Sequence, residues 1–322
     1  MSDVAVVGGG ISGIACAGAL AASGLSVDVL DRGQRLGGRL AAQTLRDTGT
    51  AYDGRPVDVG AAYFTCDDPD FEDVVADWVD RGKARPWTDT FHVADSTGLL
   101  GTKLGPMRYA APRGLRSLVE DLAVHLPSDL VSIRHPRDVE IVRPEDDGVL
   151  VGDTAYRAVA LCGPDPQMAR LASGLQDIPT WEPVIALTAV YDERTWPDVD
   201  AVFVNDDPVL SFIADDGRRR GDDAPVLVAH STPVLAALHL EDPVGAAPAM
   251  LATLLRVLAG SEPTWFGVKR WTYARPAHAR EALCQFDGAV GFAGDSWAGG
   301  PRTQSAWMSG NALGRTIAAL LV

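Results

Sequence analysis

Residues 4–13 read VAVVGGGISG, four apolar residues followed by a glycine-rich stretch. A short apolar run that ends at glycine is typical of a buried strand. Residues 11–23 are small and compatible with a helix, and Gly24 can end that helix in the left-handed conformation. Residues 27–30, Val-Asp-Val-Leu, predict a second strand that ends just before Asp31. The stretch therefore predicts a strand–helix–strand unit with parallel strands, the opening of an α/β sheet.

The glycine-rich stretch has the spacing Gly-x-Gly-x-x-Gly, formed by Gly8, Gly10 and Gly13. In such a turn the first glycine permits the tight bend, the second lets a pyrophosphate approach the backbone, and the third lets the helix pack closely on the sheet. The helix N-terminus also offers free N–H groups and a positive dipole to phosphates. Asp31, about twenty residues further on, is placed to bind a ribose hydroxyl. The pattern predicts a dinucleotide site.

Length and charge narrow the class of protein. A chain of 322 residues suggests about two domains, and 47% hydrophobic residues exclude a disordered chain. The formal net charge of −15 repels phosphate backbones and anionic lipid, because like charges repel across the whole surface. We therefore expect small-molecule partners, and neither a nucleic acid nor a membrane surface.

The cysteines and the leading residues bear on the compartment. Cys16, Cys66, Cys162 and Cys284 are scattered, so we expect reduced thiols rather than disulfides or a structural zinc site. The histidines show no metal-ligand spacing, and we expect no metal. No basic leader precedes the first strand, and no apolar run reaches the length of a membrane span. These features favour a cytoplasmic protein.

The remaining pattern predicts a discontinuous α/β domain interrupted by a β-rich region. The predicted elements are helices at 70–81, 115–126, 246–259 and 304–321, a β-meander at 138–163 that turns at Asp147-Gly148, a strand-rich stretch from about 181 to 273, and a late buried strand at 290–293. The predicted fold is a Rossmann-type nucleotide-binding domain made of residues 1–75, 106–170 and 274–322, with an inserted β-rich α+β substrate domain made of residues 76–105 and 171–273. We expect the inserted domain to carry substrate specificity.

Two further features favour FAD over NAD as the dinucleotide. Residues 36–39, Leu-Gly-Gly-Arg, follow Asp31 after a short loop; paired glycines let the chain approach a diphosphate, and Arg35 and Arg39 can make charge-assisted contacts with it. Gly294-Asp295 follows a buried strand and precedes a helix, so its carboxylate can accept hydrogen bonds from a sugar-alcohol chain. The N-terminus of that helix can stabilise negative charge on a reduced isoalloxazine ring. An NAD-only dehydrogenase has no evident use for this second element.

The chain resembles FAD-dependent oxidoreductases of the amine-oxidase and p-hydroxybenzoate-hydroxylase type, and within them the renalase family. The motifs that carry the resemblance are residues 4–13 and 31–39, Asp58-x-Gly60-Ala61-x-Tyr63-Phe64-Thr65, His230-Ser231-Thr232, Lys269-Arg270-Trp271-x-Tyr273-Ala274, Gly294-Asp295-x-Trp297-x-Gly299-Gly300-Pro301-Arg302 and Ala306-Trp307-x-Ser309-Gly310. Two features depart from the family pattern: Ala62 stands where similar proteins commonly carry Gln, and residues 46–57 form an extra loop. Both departures bear on the substrate more than on the cofactor.

The resemblance implies a non-covalent FAD and an oxidase. Renalases oxidise isomers of reduced nicotinamide dinucleotides, regenerate NAD(P)⁺ and pass the electrons to O₂, which gives hydrogen peroxide. Such a site needs no acid–base pair, because aromatisation of the ring drives hydride loss, and the protein orients the donor against the flavin. The alternative is a flavin amine oxidase acting on a small amine, with an aromatic cage supplied by Tyr63 and Trp271. A third hypothesis is a flavin-carrying protein without turnover.

The site residues expected from these motifs fall into two groups. The cofactor-binding residues are Gly8, Gly10, Ile11, Ser12, Gly13, Asp31, Arg32, Arg35, Gly38, Arg39, Gly60, Ala61, Ala62, Val139, Gly294, Asp295, Arg302 and Ala306. The substrate-pocket residues are Tyr63, Phe64, His230, Trp271 and Tyr273. No side chain is assigned as catalytic, because the flavin N5 carries the chemistry.

Several of these residues have a second interpretation. Tyr63 and Phe64 also suit core packing, and His230 lies on a predicted strand where a structural histidine is common. Trp271 and Tyr273 alternate on one strand and so share a face. Lys269 either influences the flavin through a water or lies at the surface, and Trp297 and Trp307 are equally consistent with packing. Residues 218–220, Arg-Arg-Arg between acidic pairs, are interpreted as a solvated loop, with a lid over a phosphate as the alternative.

Overall fold

The computed structural model describes residues 2–322. Its strands are β1 Val4–Val7, β2 Val27–Leu30, β3 Ala42–Thr44, β4 Pro56–Asp58, β5 Arg85–Asp95, β6 Gly98–Ala110, β7 Val131–Arg134, β8 Val142–Glu145, β9 Gly148–Val151, β10 Thr154–Tyr156, β11 Ala158–Cys162, β12 Trp181–Val190, β13 Ala201–Val204, β14 Leu210–Asp215, β15 Val226–Ser231, β16 Trp265–Pro276, β17 Gln285–Asp287 and β18 Val290–Ala293. Its helices are α1 Ile11–Ala22, α2 Pro69–Asp80, α3 Arg116–Val124, α4 Asp165–Met168, α5 Asp216–Arg220, α6 Pro233–Leu238, α7 Ala247–Leu258 and α8 Thr303–Leu321.

A six-stranded sheet has the order β17-β18-β11-β1-β2-β7, and all its pairs are parallel except β17 with β18. β1 lies between β11 and β2, with Val4 opposite Ala158 on one side and Val27 on the other. Both faces of these strands are covered, which explains why β1 and β11 read as continuous apolar runs. The predicted strand–helix–strand opening is present, and Gly24 after α1 has a left-handed φ of +80°.

Helix α8 packs against α1, so a late segment covers the first helix of the chain. The approach is close because α8 presents glycines at the contact. A Cβ at Gly310 would lie 1.9 Å from the Ser12 carbonyl oxygen, and one at Gly314 would lie 2.6 Å from that of Cys16. Small residues at this crossing let α8 hold the N-terminal part of α1 against the sheet.

The second layer is a seven-stranded sheet with the order β16-β12-β15-β14-β13-β5-β6. Its pairs are antiparallel except β13 with β5. One face packs against the apolar side of α7, with Met250, Leu254 and Leu258 buried there. The opposite face carries Phe91 and Phe212, which form a separate aromatic cluster with Tyr63 from the segment between β4 and α2. The sheet therefore has a core of its own and an aromatic face on its other side.

Most long elements lie where the sequence predicts them. The helices predicted at 70–81, 115–126, 246–259 and 304–321 correspond to α2, α3, α7 and α8, and the meander at 138–163 corresponds to β8–β11. The pattern does not predict the short helices α5 and α6 or the hairpin of β5 and β6. The proposed domain boundaries at 75 and 105 fall inside α2 and β6, and the division itself stays a prediction.

All four cysteines are free thiols, and Cys16 and Cys162 are buried. None of the helices in residues 2–322 is both long and apolar enough to span a membrane.

Candidate functional site

A groove of about 1310 Å³ opens beside the carboxyl ends of β1, β2 and β11 and extends to the aromatic face of the second sheet. Ligand pockets for drug-sized molecules are typically about 300–1,000 Å³, so this groove has room for more than one small ligand. All the residues predicted to bind cofactor or donor line it, except Gly13. The sequence did not single out several others, namely Arg116, Arg137, Arg170, Val184, Phe203 and Phe212.

The three motif glycines occupy different environments. Gly8 has φ +115°, and a Cβ there would lie 2.2 Å from the Cys162 carbonyl oxygen. A Cβ at Gly13 would lie 1.8 Å from the carbonyl oxygen of Gly8, so Gly13 serves helix–sheet packing and does not reach the groove. A Cβ at Gly10 would meet no atom within 4 Å, because Gly10 faces the open groove.

The N-terminus of α1 offers hydrogen-bond donors that fit a phosphate ligand. Gly10 is the N-cap and supplies no side-chain hydrogen bond to the first turn. Ser12 lines the groove, and its hydroxyl is buried without a hydrogen-bond partner. Free helix N–H groups with an orphaned hydroxyl suit the oxygens of a pyrophosphate. The residues present at this end therefore fit a dinucleotide.

Asp31 is fixed at the end of β2 by backbone donors. Its carboxylate accepts hydrogen bonds from the Gly9 N–H at 2.5 Å and the Gly33 N–H at 2.7 Å. It lines the groove beside Arg32 and Val139. This position, at a parallel strand end next to the glycine turn, suits a ribose hydroxyl.

The two elements that favour FAD in the sequence, residues 36–39 and Gly294-Asp295, contact each other in the structure. The guanidinium of Arg39 donates two hydrogen bonds to the carboxylate of Asp295, at 2.7 and 2.6 Å, and lies 5.0 Å from the centre of the Trp181 ring. Arg35 pairs with Glu120 at 2.7 Å, and Arg302 pairs with Asp67 at 2.7 Å. The sequence predicted diphosphate contacts for Arg35 and Arg39, whereas the structure gives each a carboxylate partner.

The Gly294-Asp295 turn is held by a buried polar cluster. The hydroxyl of Ser296 donates to Asp165 at 2.6 Å, and Arg280 donates to the same carboxylate at 2.8 Å. The Arg280 guanidinium also lies 4.1 Å from the Trp297 ring. Trp297 is buried and Trp307 packs on Phe71, so the packing interpretation describes both tryptophans.

An aromatic wall closes the other end of the groove. Tyr63 packs edge-on against Phe91 at 5.3 Å between ring centres and lies 6.1 Å from Phe212. The ring of Phe212 lies 5.9 Å from that of His230. Phe64 borders the groove, but it is 2% exposed and its ring stacks on Tyr109 within the main core. Core packing is therefore the role of the Phe64 side chain.

His230 is a neutral group at this wall. Burial, together with the nearby cations Arg219 and Arg275, lowers its pKa to about 4. Its Nε2 atom is buried without a hydrogen-bond partner. An unprotonated imidazole with an unused ring nitrogen can exchange one hydrogen bond with a ligand in the groove.

Trp271 and Tyr273 both line the groove, as their alternation on β16 predicts. The Trp271 indole N–H donates to the Val59 carbonyl at 2.7 Å, and the Tyr273 hydroxyl accepts from Arg170 at 3.0 Å. Lys269 is exposed, and its ammonium nitrogen lies 5.8 Å from the centre of the Trp271 ring.

The arginine run at 218–220 is not a solvated loop, contrary to the sequence interpretation. It forms α5, in which Arg219 is 0% exposed and Arg220 is 5% exposed. Both arginines pair with Asp216 three and four residues earlier, a spacing that helical geometry brings together. That spacing was visible in the sequence. Burial was not, because it depends on β4 and on the segment after it.

Comparisons with known proteins agree with this arrangement. A family model described as an NAD(P)-binding Rossmann-like domain matches residues 6–78. A putrescine oxidase with redesigned cofactor binding has a TM-score of 0.73 at 17% identity, over 99% of each chain. Cyclohexylamine oxidase from Brevibacterium oxydans IH-35A has a TM-score of 0.73 at 15% identity, also over 99% of each chain. The chain therefore has a Rossmann-type domain within an amine-oxidase fold, as the sequence predicted for its fold class, and its groove fits FAD.

Proposed function

We propose that the protein is an FAD-dependent oxidase that takes a hydride from an isomer of a reduced nicotinamide dinucleotide. In this reaction the donor ring loses two electrons with its hydride and becomes aromatic NAD(P)⁺. O₂ gains the two electrons and, with two protons, becomes H₂O₂. Bound FAD would supply the two-electron acceptor between them. The charges at the donor end of the groove carry this proposal.

The residues that would hold FAD lie along one side of the groove. The first turn of α1 and the Ser12 hydroxyl would bind the pyrophosphate, and Asp31 would bind a ribose hydroxyl. Asp295, fixed by Arg39, would accept hydrogen bonds from the ribityl chain. These roles leave the aromatic wall for the donor.

Both rings of the cage that an amine would need already face a protein cation. The guanidinium of Arg108 lies 5.7 Å from the Tyr63 ring centre and 3.9 Å from that of Phe91. Arg108 is 5% exposed, so water screens its charge poorly. The ammonium of Lys269 lies 5.8 Å from the Trp271 ring centre. A substrate ammonium placed between these rings would be repelled by two resident cations.

The distribution of charged residues around the groove also favours a nicotinamide dinucleotide over an amine. Its lining carboxylates, within residues 2–322, are Asp31, Asp138, Glu140 and Asp295. Asp138 and Glu140 flank Val139, which packs with Leu30 beside β2, and Asp295 is paired with Arg39. The end of the groove beside Trp271 and Tyr273 instead carries Arg170, Lys269 and Arg270, together with Arg275, which pairs with Glu182 at 2.6 Å. This distribution favours an uncharged ring attached to anionic phosphates over a free amine.

An anaerobic spectral titration tests the proposal. The purified protein, loaded with FAD, is mixed with reduced NAD isomers from borohydride treatment, and separately with NADH. We expect fast bleaching of the flavin band with the isomers, much slower bleaching with NADH, and recovery on admission of air. A protein that takes up no FAD contradicts the proposal outright.

The second candidate function is oxidation of a small amine. The fold comparisons favour it, since the two similar structures named above are a putrescine oxidase and a cyclohexylamine oxidase. In the same titration, bleaching of the flavin band by cyclohexylamine or putrescine, without bleaching by the nicotinamide isomers, would show that the protein is an amine oxidase. A yellow protein that neither class of donor bleaches would select the flavin carrier without turnover.

A further inference from the structure

Arg219 reaches from the second sheet into the wall of the groove. It belongs to α5, between β14 and β15, and is completely buried. Its guanidinium donates to the Ala62 carbonyl at 2.9 Å and to the Asp58 carbonyl at 3.3 Å. These two carbonyls mark the ends of the segment 58–62, three residues of which line the groove.

The rest of this segment is fixed by contacts from other elements. The indole of Trp271 donates to the Val59 carbonyl at 2.7 Å, and the Ala61 N–H donates to the Arg39 carbonyl at 2.9 Å. A Cβ at Gly60 would lie 2.0 Å from that same carbonyl oxygen. The segment therefore has little freedom, and the two bonds from Arg219 determine where it ends.

The carboxylate of Asp216 orients the guanidinium group of Arg219. Its buried carboxylate pairs with Arg219, with Arg220 at 2.9 Å, and with Arg55 at 2.8 Å. Arg55 lies just before β4, in the stretch 46–57 that is interpreted from the sequence as an extra loop. Burial alone would raise the pKa of Asp216, but the three arginines together hold it well below its ordinary value. The carboxylate is thus charged at neutral pH.

Arg220 belongs to the same network but touches a different part of the segment. It donates to the Asp58 carboxylate at 3.1 Å and to the Pro112 carbonyl at 3.4 Å. The other oxygen of that carboxylate accepts from the Leu115 N–H at 2.9 Å, at the start of α3. Arg220 therefore ties the network to α3 and makes no contact with the groove-lining carbonyl of Ala62.

We propose that Arg219 is a positioning residue that sets the groove wall at Ala61 and Ala62 for the bound cofactor. This inference rests on the proposed FAD site. A bidentate guanidinium fixes two carbonyls at once, whereas a lysine ammonium is a point charge that cannot span both. Arg220 carries the same positive charge within this network, but only Arg219 donates a hydrogen bond to the Ala62 carbonyl.

The test compares Arg219→Lys with Arg220→Lys, since both changes keep the charge within one buried network. The measurements are the unfolding midpoint of the apoprotein, the dissociation constant for FAD by flavin fluorescence, and the visible circular dichroism of bound FAD. Arg218→Lys is the surface control, because Arg218 lies on the same helix as Arg219 and Arg220 but pairs with Asp198, an exposed residue in the segment before β13.

We expect Arg219→Lys to weaken FAD binding about tenfold and to change the visible circular dichroism, while Arg220→Lys stays within about twofold of the parent with an unchanged spectrum. Comparable loss of thermal stability in both variants, without a spectral difference between them, overturns the proposal. If Arg219→Lys does not fold, Arg219→Gln takes its place, because a glutamine amide also cannot span the Ala62 and Asp58 carbonyls. Weaker FAD binding with changed dichroism then supports the proposal, and binding and dichroism equal to those of the parent overturn it. Failure of the parent to bind FAD overturns both the function and this inference.

Discussion

Gly10 and Gly13 belong to one motif, but the structure assigns them separable roles. Gly10→Ala adds a methyl group that meets no protein atom within 4 Å, so we expect the unfolding free energy of the apoprotein to change by less than about 0.5 kcal/mol. The methyl enters the groove, so FAD should bind at least about tenfold more weakly. Gly13→Ala meets the Gly8 carbonyl at 1.8 Å and should destabilise the fold by about 2 kcal/mol or more. Urea unfolding and FAD titration of each apoprotein check both; equal stability losses would contradict the assignment.

Asp295 is expected to be required for flavin retention. Asp295→Ala removes the carboxylate and leaves the Arg39 guanidinium without its bidentate partner. We expect the variant to purify with markedly less bound FAD, measured by the ratio of flavin to protein absorbance. Glu120→Ala is the matched control, because it removes the partner of Arg35 from an exposed pair. An Asp295→Ala protein as yellow as its parent would show that the Gly294-Asp295 turn is not a flavin element.

His230 should make stability depend on pH in a defined window. Its pKa is about 4 in the folded protein, against about 6.5 in an unfolded chain. Between these values the unfolded chain binds the extra proton, so this contribution to stability is complete above about pH 6.5 and is lost as the pH falls towards 4. His230→Gln should flatten that part of the profile of unfolding midpoint against pH. If the unfolding midpoint of His230→Gln has the same slope against pH as the parent between pH 4 and 6.5, His230 is not a buried, neutral histidine.

At the scale of single residues, sequence reasoning succeeded where the chemistry is local. Gly8, Gly10 and Asp31 lie within one strand–helix–strand unit, so spacing alone fixes their relative positions. The partners of Arg39 and Arg219 lie far away in the chain, and no local pattern shows whether an arginine meets a phosphate, water or a buried carboxylate. Sequence reasoning therefore predicts a solvated loop for Arg219, although its side chain is among the most buried in the structure.

At the scale of elements, the close contact of α1 with α8 depends on the glycines of α8, which have no side chain to separate the two helices. Gly310→Ala would place a Cβ 1.9 Å from the Ser12 carbonyl, which must push α8 away from the first turn of α1. We expect a loss of about 1–3 kcal/mol in unfolding free energy, together with weaker FAD binding. Leu320→Ala, on the exposed side of the same helix, should change neither. Denaturant unfolding of both variants checks this, and a Gly310→Ala protein as stable as the parent would show that α8 has room to move.

Long periodic elements were predicted well, and short or edge elements were not. Helices α2 and α7 have clear apolar faces, and the buried parallel strands form unmistakable apolar runs. Helix α5 is a single short turn whose buried side is charged, so no apolar stripe marks it. Strand β6 lies at the edge of its sheet and is largely exposed, so it lacks the alternation that would reveal a strand.

At the scale of the whole molecule, FAD should act as a structural ligand. Its proposed contacts join α1, the 58–62 segment and the turn before α8, so binding to the folded chain alone raises stability by mass action. At a free FAD concentration of about 100 times the dissociation constant the gain is about 2.7 kcal/mol. We expect a clear rise in the unfolding midpoint with FAD and a smaller one with FMN, which lacks the adenosine half that Asp31 would bind. Equal rises for both would place the adenosine half outside the groove.

The order of the six-stranded sheet has a consequence for synthesis. Its parallel strands come from the first 30 residues, from residues 131–162 and from residues 290–293. The groove wall at Gly294, Asp295 and Ala306 comes from that last part. The glycine-rich turn is the first of these parts to leave the ribosome. Its sheet and groove can be completed only after residues 290–306 have been synthesised. We therefore expect FAD to bind late in synthesis, and until then the early apolar strands lack their native neighbours and are prone to aggregate.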